Sequence, residues 1–406
     1  MLDSPCMSPA PRDEQLLQRA LELAREGIGL ASPNPYVGAV IADANGDVVG
    51  TGTYTYAGVK HAEVLALESA GARAHGGTLY INLEPHAHQG RTPPCTDALI
   101  AAGIRRVVAS MPDPNPKVSG RGFELLRAAG VEVEVGGLEE QARRLNEAFA
   151  HYIRHGRPLV TLKSAMTLDG KIAPAPESRN RSDEIRAGGF TGTWITGELA
   201  RAHTQELRHQ HDALLVGIGT VLADDPLLTD RSGRPRRRPL LRVILDSSLR
   251  LPLESRLVQS AAAERKDDVL IFCSAAAVQN TGAQNNQSKK EQLEQFGIRV
   301  EQLSSGESGT HLDMAAILRR LGQLEIVSLM IEGGATVNSA ALAANVVDKV
   351  FLYYAAKILG DAGAIPFAAN TGSAPPYRLT KVNHVRLHRF EDDFAVEGYL
   401  RDPYTD

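Results

Sequence analysis

The chain is predicted to fold as two consecutive α/β domains, residues 1–156 and 157–406, on three observations. Its 406 residues exceed the size at which one core serves a whole chain, so two or three domains are expected. Segments with helical and strand periodicity alternate twice along it, the pattern of mostly parallel sheets with helices packed on their faces. Between the two alternations, Gly156-Arg157-Pro158 ends a helical stretch and marks a boundary.

In the first half, EQLLQRALELAREG places Leu16, Leu17, Ala20, Leu21 and Ala24 at helical spacing, with Gly27 as the stop. VGAVIAD and VVGTGTY are short β-branched runs about a Gly-containing turn, which predicts a hairpin. HAEVLALESAG then reads as helix, TLYINLE as strand, TDALIAAG as helix, RRVVASM as strand, GFELLRAAG as helix and VEVEVG as strand. A closing helical stretch, EEQARRLNEAFAHYIRHG, ends near Gly156. The second half opens with PLVTLKSAMTLDG, a Gly- and charge-rich loop and the helix ELARAHTQELRHQ. ALLVGIGTVLAD, RPLLRVILDSS, DVLIFCS, IVSLMIEGG and VDKVFLYYAAKIL follow, with the small-residue helix NSAALAANV between the last two. AAAVQNTGAQNNQSKKEQLEQ is polar and Gln/Asn-rich, a variable surface segment with a helical end. RSGRPRRRP carries a local basic run and reads as a solvated loop.

Composition narrows the function classes without naming one. Hydrophobic content of 43% and charged content of 23% are those of an ordinary soluble globular protein rather than a disordered or fibrous chain. A formal charge of −4 provides no global attraction for nucleic acid or an anionic membrane, so any anionic ligand must meet local basic groups. Cys6, Cys95 and Cys273 are too few and too scattered for a disulfide framework, which points to a reducing compartment. The N-terminal MLDSPCMSPAPRDEQ lacks an apolar h-region, and no stretch approaches the ~18 apolar residues that span a bilayer. A cytoplasmic protein with neither nucleic-acid nor membrane partners is expected.

The first chemical constellation is His61-Ala62-Glu63 at a helix start, followed from Pro85 by PHAHQGRTPPC ending in Cys95. Zinc-dependent base deaminases use a related layout, with one ligand from H-x-E, two from a Pro-Cys segment and the glutamate as proton shuttle. The chemistry explains the residue types. Zinc takes nitrogen or thiolate ligands in a tetrahedral site whose fourth position is left to a water that the metal acidifies. Glu63, two residues after its ligand, can carry the proton from that water to a ring nitrogen and the departing ammonia. Asn34, in SPNPYVG, is a candidate to hydrogen-bond the base. Taken singly, His61 would be an ordinary packed or surface histidine; the downstream Pro, His and Cys after an intervening strand give the pattern its weight. In the second half, a buried strand leads through Gly333-Gly334 into a helix, and free N–H groups at such a start suit a phosphate, although Gly-Gly after a strand is by itself only a tight connection.

PNPYVGAVI, HAEVLAL, LEPHAHQGRTPPCTDALIAAGIRRVV and DPNPKVSGRG closely resemble the N-terminal half of the bifunctional riboflavin-biosynthesis deaminase/reductase family. LKSAMTLDGKIA, WITG, GTVLADDPLLTDR, VILDSS and IEGGATVNSAAL resemble its reductase half, in the same order, so the likeness covers nearly the whole chain. It implies a cytidine-deaminase-like α/β/α sandwich followed by a dihydrofolate-reductase-like α/β domain. It also implies hydrolytic deamination of 2,5-diamino-6-(5-phosphoribosylamino)pyrimidin-4-one, then NADPH reduction of the ribosyl chain to ribityl, with Zn²⁺ and NADPH as cofactors and a homo-oligomeric assembly. Carried over residue by residue, Ala165, Trp194, Thr220, Asp224, Ser247 and the run Gly334, Ala335, Thr336, Val337, Asn338, Ser339 and Ala340 would line the NADPH site. Lys163, Arg208, Leu228, Arg231 and Glu332 would face the substrate, with Glu63, Lys163 and Asp224 as the catalytic set. The cations suit a phosphorylated sugar that a net-acidic chain does not attract globally.

Two departures from the family pattern stand out. Pro85-His86 replaces Pro-Cys, so the zinc set becomes His61, His86 and Cys95. Either His86 is a substitute ligand, imidazole being a common zinc donor, or the site has decayed and the first domain is an inert scaffold for a reductase. His88 is expected to point away from His86 by strand-end alternation. The segment between Ile172 and Trp194 exceeds the family's usual short turn, and Gly192 stands where a serine is common. A nucleic-acid deaminase fused to another domain is the remaining reading of H-x-E, and the absence of a basic, aromatic stripe weighs against it.

Overall fold

Leu17, Ala20 and Leu23 share one face of α1 (Pro11–Glu26) and pack against Val40, Ala42, Tyr80 and Val108. Those four residues lie on β1 (Gly38–Ala42), β3 (Thr78–Ile81) and β4 (Arg106–Ala109), and the intervening Ala39, Ile41, Leu79, Ile81 and Val107 point to the opposite face. There they meet α2 (Ala62–Ala70), α3 (Cys95–Ala101) and α4 (Arg121–Ala128) through Ala62, Ala66, Leu99, Phe123 and Leu126. The alternation of side chains along each strand thus builds an α/β/α sandwich from one five-stranded sheet. With β2 (Val48–Thr53) and β5 (Glu132–Val135) the order is β2-β1-β3-β4-β5. β1 is antiparallel to β2 and β3, whereas β3, β4 and β5 run parallel. This unit spans Met1–Gly156 and includes Pro235–Arg238; the second comprises Arg157–Arg234 and Pro239–Thr405.

The computed structural model describes residues 11–88, 93–175, 194–264, 266–275, 284–303, 312–369 and 379–405. Gly192, most of the long segment before Trp194 and residues 276–283 of the polar stretch lie outside the described residues. No described helix is long and apolar enough to cross a membrane.

The stretch before Gly156 is two helices, α5 (Glu139–Leu145) and α6 (Glu147–His155), broken at Asn146. Asn146 leaves helical geometry because its side chain is engaged elsewhere: Oδ1 accepts from the Tyr36 N–H at 2.7 Å and Nδ2 donates to the Tyr36 carbonyl at 3.0 Å. An asparagine amide pairing with both backbone groups of one residue substitutes for a strand neighbour.

α2 lies unusually close to β2. A Cβ at Gly52 would overlap the Ala62 carbonyl, and one at Gly50 the Ala66 carbonyl. Since His61 caps α2 and Glu63 sits in its first turn, this approach sets the depth of both side chains. Gly52→Ala is expected to cost about 1–3 kcal/mol of stability and to weaken zinc retention, because the helix must shift outward. Thermal melting with zinc titration checks this, and an unchanged pair of values would separate the packing from the site.

In the second unit, β6 (Leu159–Thr167) is followed by β7 (Lys171–Ala173), α7 (Glu198–Gln210), β8 (Ala213–Gly217), α8 (Ile218–Asp224), β9 (Leu241–Leu245), α9 (Arg256–Glu264) and β10 (Val269–Ser274). Then come α10 (Gln284–Gln295), β11 (Arg299–Leu303), α11 (Met314–Gln323), β12 (Ser328–Ile331), α12 (Ala335–Ala343), β13 (Lys349–Ala355), β14 (Ile365–Pro366), β15 (Asn383–Phe390) and β16 (Asp393–Tyr399). Nine strands form one sheet, β11-β10-β9-β8-β12-β6-β13-β16-β15, and β14 pairs with β7 apart from it. The run from β11 to β13 is parallel, and β16 and β15 add an antiparallel edge that the sequence alternation does not reveal. Leu214, Val216, Ile244 and Met330 face α7, α8 and α9, while Leu215, Val243, Leu329 and Ile331 face α11 and α12.

Asp348, buried at the start of β13, fixes the register of β6. Its carboxylate accepts from the Val160 N–H at 2.9 Å, from Arg157 at 3.1 Å and from Arg401 at 3.0 Å. That pairing sets Lys163 opposite Phe351 and Ala165 opposite Tyr353.

Candidate functional site

In the first unit, β3 ends at Ile81 and hands the chain to a short irregular segment anchored by two buried polar residues. Asn82 accepts from the Gly38 N–H and donates to the Tyr36 carbonyl, both at 2.9 Å. Glu84 accepts from three backbone N–H groups, those of Asp113, Gly120 and Gly122, at 2.7–2.9 Å. Its carboxylate holds the DPNPKVSGRG loop against Pro85 and so fixes where His86 emerges. Glu84 and Asn82 did not stand out in the sequence; buried polar residues at a strand end are the signal that could have found them.

His86, His61 and Cys95 converge from three elements. His61 caps α2, Cys95 opens α3 fully buried, and the Cys95 N–H donates to the His86 carbonyl at 3.0 Å. The His86 Nδ1 lies 3.0 Å and the His61 Nδ1 3.4 Å from the Cys95 Sγ, and the two imidazole rings are 4.3 Å apart. All three donor atoms lie within 4.8 Å of one another. A tetrahedral ion with bonds of about 2.0–2.1 Å to nitrogen and 2.3 Å to sulfur needs donor separations of roughly 3.3–3.6 Å, so the residues present fit zinc with small adjustments. Both histidines offer Nδ1, the nitrogen nearer the backbone.

Glu63 is buried beside this set and hydrogen-bonded to the Cys95 thiol. Burial pushes its carboxyl up to about 7, against the opposing pull of its own backbone N–H and of the thiol. Burial, with the Glu63 charge, pushes the Cys95 thiol well above its usual range, and burial with the neighbouring His88 lowers His61. A cation at the three donors would reverse the logic for thiol and carboxyl, favouring both anions. Asn34 is held by its Nδ2 donating to the Tyr54 hydroxyl at 2.6 Å, and the Tyr54 ring packs edge-on against His61 at 5.5 Å. The expectation that His88 points away from His86 is corrected: residues two apart share a face even in a strand, and His88 is exposed with its ring 5.3 Å from that of His86.

In the second unit, the sheet brings together side chains that are far apart in sequence. Glu332 follows β12 and Arg208 comes from the last turn of α7. Arg208 grips Glu332 with two parallel bonds of 2.8 and 2.9 Å and donates to the Thr229 carbonyl at 2.9 Å. Lys163, on β6, brings its Nζ to 3.9 Å from the Glu332 carboxylate. Burial alone would raise the Glu332 carboxyl, but Arg208 and then Lys163 hold it at about 2. Burial lowers Lys163, with Glu332 opposing. The cluster sets two basic side chains against one carboxylate. Arg208 is therefore committed to shaping the site through Glu332 and the Thr229 loop, which the sequence reading of it as a phosphate-facing cation did not foresee. Leu228, buried with φ +56°, belongs to that loop, whereas Arg231 is exposed, its N–H bonded to Gln205.

The residues expected around the cofactor lie at the C-terminal ends of the parallel strands, where open α/β sheets place their ligands. Ala165 is on β6, Ser247 just beyond β9, and Thr220 and Asp224 on α8. Gly334 caps α12, and Gly333 and Gly217 are required where Val337 packs, since a Cβ at either would meet that side chain at 2.7–2.8 Å. Within α12, Thr336 is exposed and Ser339 and Ala340 half-buried. Ala335, Val337 and Asn338 turn inward, the Asn338 amide donating to the Phe367 carbonyl at 2.8 Å. Trp194 is 60% exposed under the Arg201 guanidinium.

Comparison with known proteins adds a second line. A family model described as the RibD C-terminal domain matches residues 158–393, and one described as the cytidine and deoxycytidylate deaminase zinc-binding region matches residues 10–111. The riboflavin biosynthesis protein RibD of Aquifex aeolicus is 40% identical over 384 residues, 95% of this chain and 97% of that one. The Escherichia coli protein of the same name is 38% identical over 389 residues, 92% and 97% of the two chains. Among solved structures, Acinetobacter baumannii RibD superposes with a TM-score of 0.77 at 33% identity over 96% of this chain and 98% of that one. A diaminohydroxyphosphoribosylaminopyrimidine deaminase/5-amino-6-(5-phosphoribosylamino)uracil reductase from Thermotoga maritima gives a TM-score of 0.75 at 36% identity, with the same coverage.

Proposed function

The chain belongs to the RibD family of riboflavin biosynthesis, and from that premise we propose that each of its two units carries one half of a two-step conversion. It is a bifunctional deaminase and reductase whose cofactors are zinc and NADPH. Residues 1–156 deaminate the ring of 2,5-diamino-6-(5-phosphoribosylamino)pyrimidin-4-one, and residues 157–406 reduce the ribosyl chain of the product to ribityl. The observation that carries the first half is the convergence of His61, His86 and Cys95 beside the buried Glu63. We place the enzyme in the cytoplasm as a homo-oligomer acting on a small phosphorylated substrate, without nucleic-acid or membrane partners.

His61 Nδ1, His86 Nδ1 and Cys95 Sγ would hold the zinc, which when bound supplies the Lewis acidity that makes water a nucleophile near neutral pH. Glu63, as carboxylate, takes a proton from the attacking water and gives it to the ring nitrogen, then carries the remaining hydroxyl proton to the amino group, so that ammonia leaves as the carbonyl forms. Asn34, positioned by Tyr54, hydrogen-bonds the base and sets its plane. In the reductase half, the first turn of α12, capped by Gly334, would receive the phosphates of NADPH, which when bound supplies the hydride. Lys163 and Glu332 face the sugar, where one donates and the other accepts hydrogen bonds from its oxygens.

Two assays on the full chain test this reading: ammonia release from the diaminopyrimidinone, and NADPH oxidation with the deaminated product. Both are expected. Lys163→Met and Asp224→Ala should each lower NADPH oxidation roughly 10- to 100-fold while leaving ammonia release unchanged, the size expected for one lost charge-assisted contact. NADPH oxidation at the wild-type rate in both variants would remove the two residues from the site.

A further inference from the structure

We propose that Tyr353 is a positioning residue of the reductase half, its ring face holding the Lys163 ammonium in place beside Glu332. The proposal rests on the reading of Lys163 as a cation that faces the substrate.

Glu332 alone does not locate the Lys163 ammonium. Both of its oxygens are bound by Arg208 at 2.8–2.9 Å, and the Lys163 Nζ stands off at 3.9 Å, beyond a direct hydrogen bond. A carboxylate already gripped by a guanidinium fork does not by itself locate a flexible lysine. The sheet supplies a second wall. Lys163 pairs across β6 and β13 with Phe351, and Ala165 with Tyr353, so Tyr353 lies diagonal to Lys163 on the same face of the sheet. The Nζ sits over the Tyr353 ring, 5.5 Å from its centroid, within range of attraction by the ring's negative face.

The ring is itself fixed. Tyr353 is only 1% exposed; its hydroxyl bonds the His203 Nδ1 at 2.7 Å, and the Phe351 and Phe390 rings pack at 5.1 and 5.6 Å. A residue anchored on every other side, with one ring face turned to a buried cation, acts as a platform rather than a mobile donor. Around Lys163 the charged and titratable groups are Glu332 after β12, Arg208 from α7 and Tyr353 from β13. Burial and Arg208 disfavour the ammonium, and Glu332 favours it. The ring adds to the favourable side, so its loss should ease deprotonation of Lys163.

The readout is the titration of Lys163 itself, measured in the full chain by competitive acetylation from neutral to alkaline pH and mass spectrometry of the Lys163 peptide, alongside reductase kcat and KM. Tyr353→Leu should lower the labelling midpoint by about one pH unit and kcat/KM roughly tenfold, the worth of a partly desolvated cation on a ring. Tyr353→Phe keeps the ring face and should leave the midpoint in place and kcat/KM within about threefold. If the leucine variant does not fold, a ring-fluorinated phenylalanine at position 353 preserves the shape and removes the negative face; it should reproduce the midpoint shift. An unmoved midpoint in the folded leucine or fluorinated variant overturns the proposal, as does a Tyr353→Phe loss equal to that of leucine, which would assign the effect to the hydroxyl. Full reductase turnover in Lys163→Met, with the midpoint shift still present in Tyr353→Leu, instead overturns the substrate reading of Lys163 and with it any catalytic role for the platform.

Discussion

Glu63→Gln is expected to reduce ammonia release by about 10²- to 10⁴-fold while leaving zinc per chain and NADPH oxidation at wild-type values. The amide preserves the volume of a side chain that is 3% exposed, so α2 and the donors on either side of it should keep their places. What it loses is the ability to accept and return a proton. That step needs a group that can be carboxylate and acid in turn, and Glu63 is the buried carboxyl hydrogen-bonded to Cys95 beside the three donors. The two other readouts separate proton transfer from collapse: a disrupted site would lose zinc, and a disrupted chain would lose reductase turnover as well. Ammonia release within tenfold of wild type would mean that another group moves the proton.

Much of the architecture was legible because each half repeats patterns with one physical meaning. Runs such as VGAVIA and LLVG are buried strands, and HAEVLALESAG has the spacing of a covered helix. The His61, Glu63, His86 and Cys95 constellation could be read for the same reason: two of the donors sit at helix starts, where a side chain is held at the edge of the core. What stayed hidden depends on pairings with no local signature. Asn146 breaks a helix because of Tyr36, 110 residues earlier, and Arg208 is bound to Glu332 across 124 residues. Tyr353 offered nothing in sequence beyond an aromatic residue in a strand, and only the register with β6 brings it near Lys163. The antiparallel edge formed by β15 and β16 was missed because its exposed, mixed-polarity β15 carries no clean alternation.

His86→Ala should leave the purified chain with well under the roughly one zinc per chain expected of wild type, and His86→Cys should retain it, because three protein donors are needed to hold the ion with one position open. The geometry favours a histidine that replaces a thiolate rather than one that marks decay. A sulfur lies one bond from Cβ and Nδ1 two, but the angle at Cγ folds the extra bond sideways, so Nδ1 can reach a thiolate's position without moving the loop; Nε2 would overshoot. In the structure it is the His86 Nδ1 that faces the Cys95 sulfur, at 3.0 Å. The Cys95 N–H bond to the His86 carbonyl and the Glu84 bonds to the adjoining loop hold the segment in place. Charge is the second consequence. One thiolate and two neutral imidazoles leave the divalent ion with a net +1, where two thiolates would neutralise it, so the wild-type site should support ammonia release at a lower pH than His86→Cys. Zinc per chain is therefore measured together with the pH dependence of ammonia release in all three proteins. If wild type prepared with ample zinc carries no metal and releases no ammonia, while His86→Cys restores both, then His86 marks a lost metal site and the chain works as a reductase on an inert first unit.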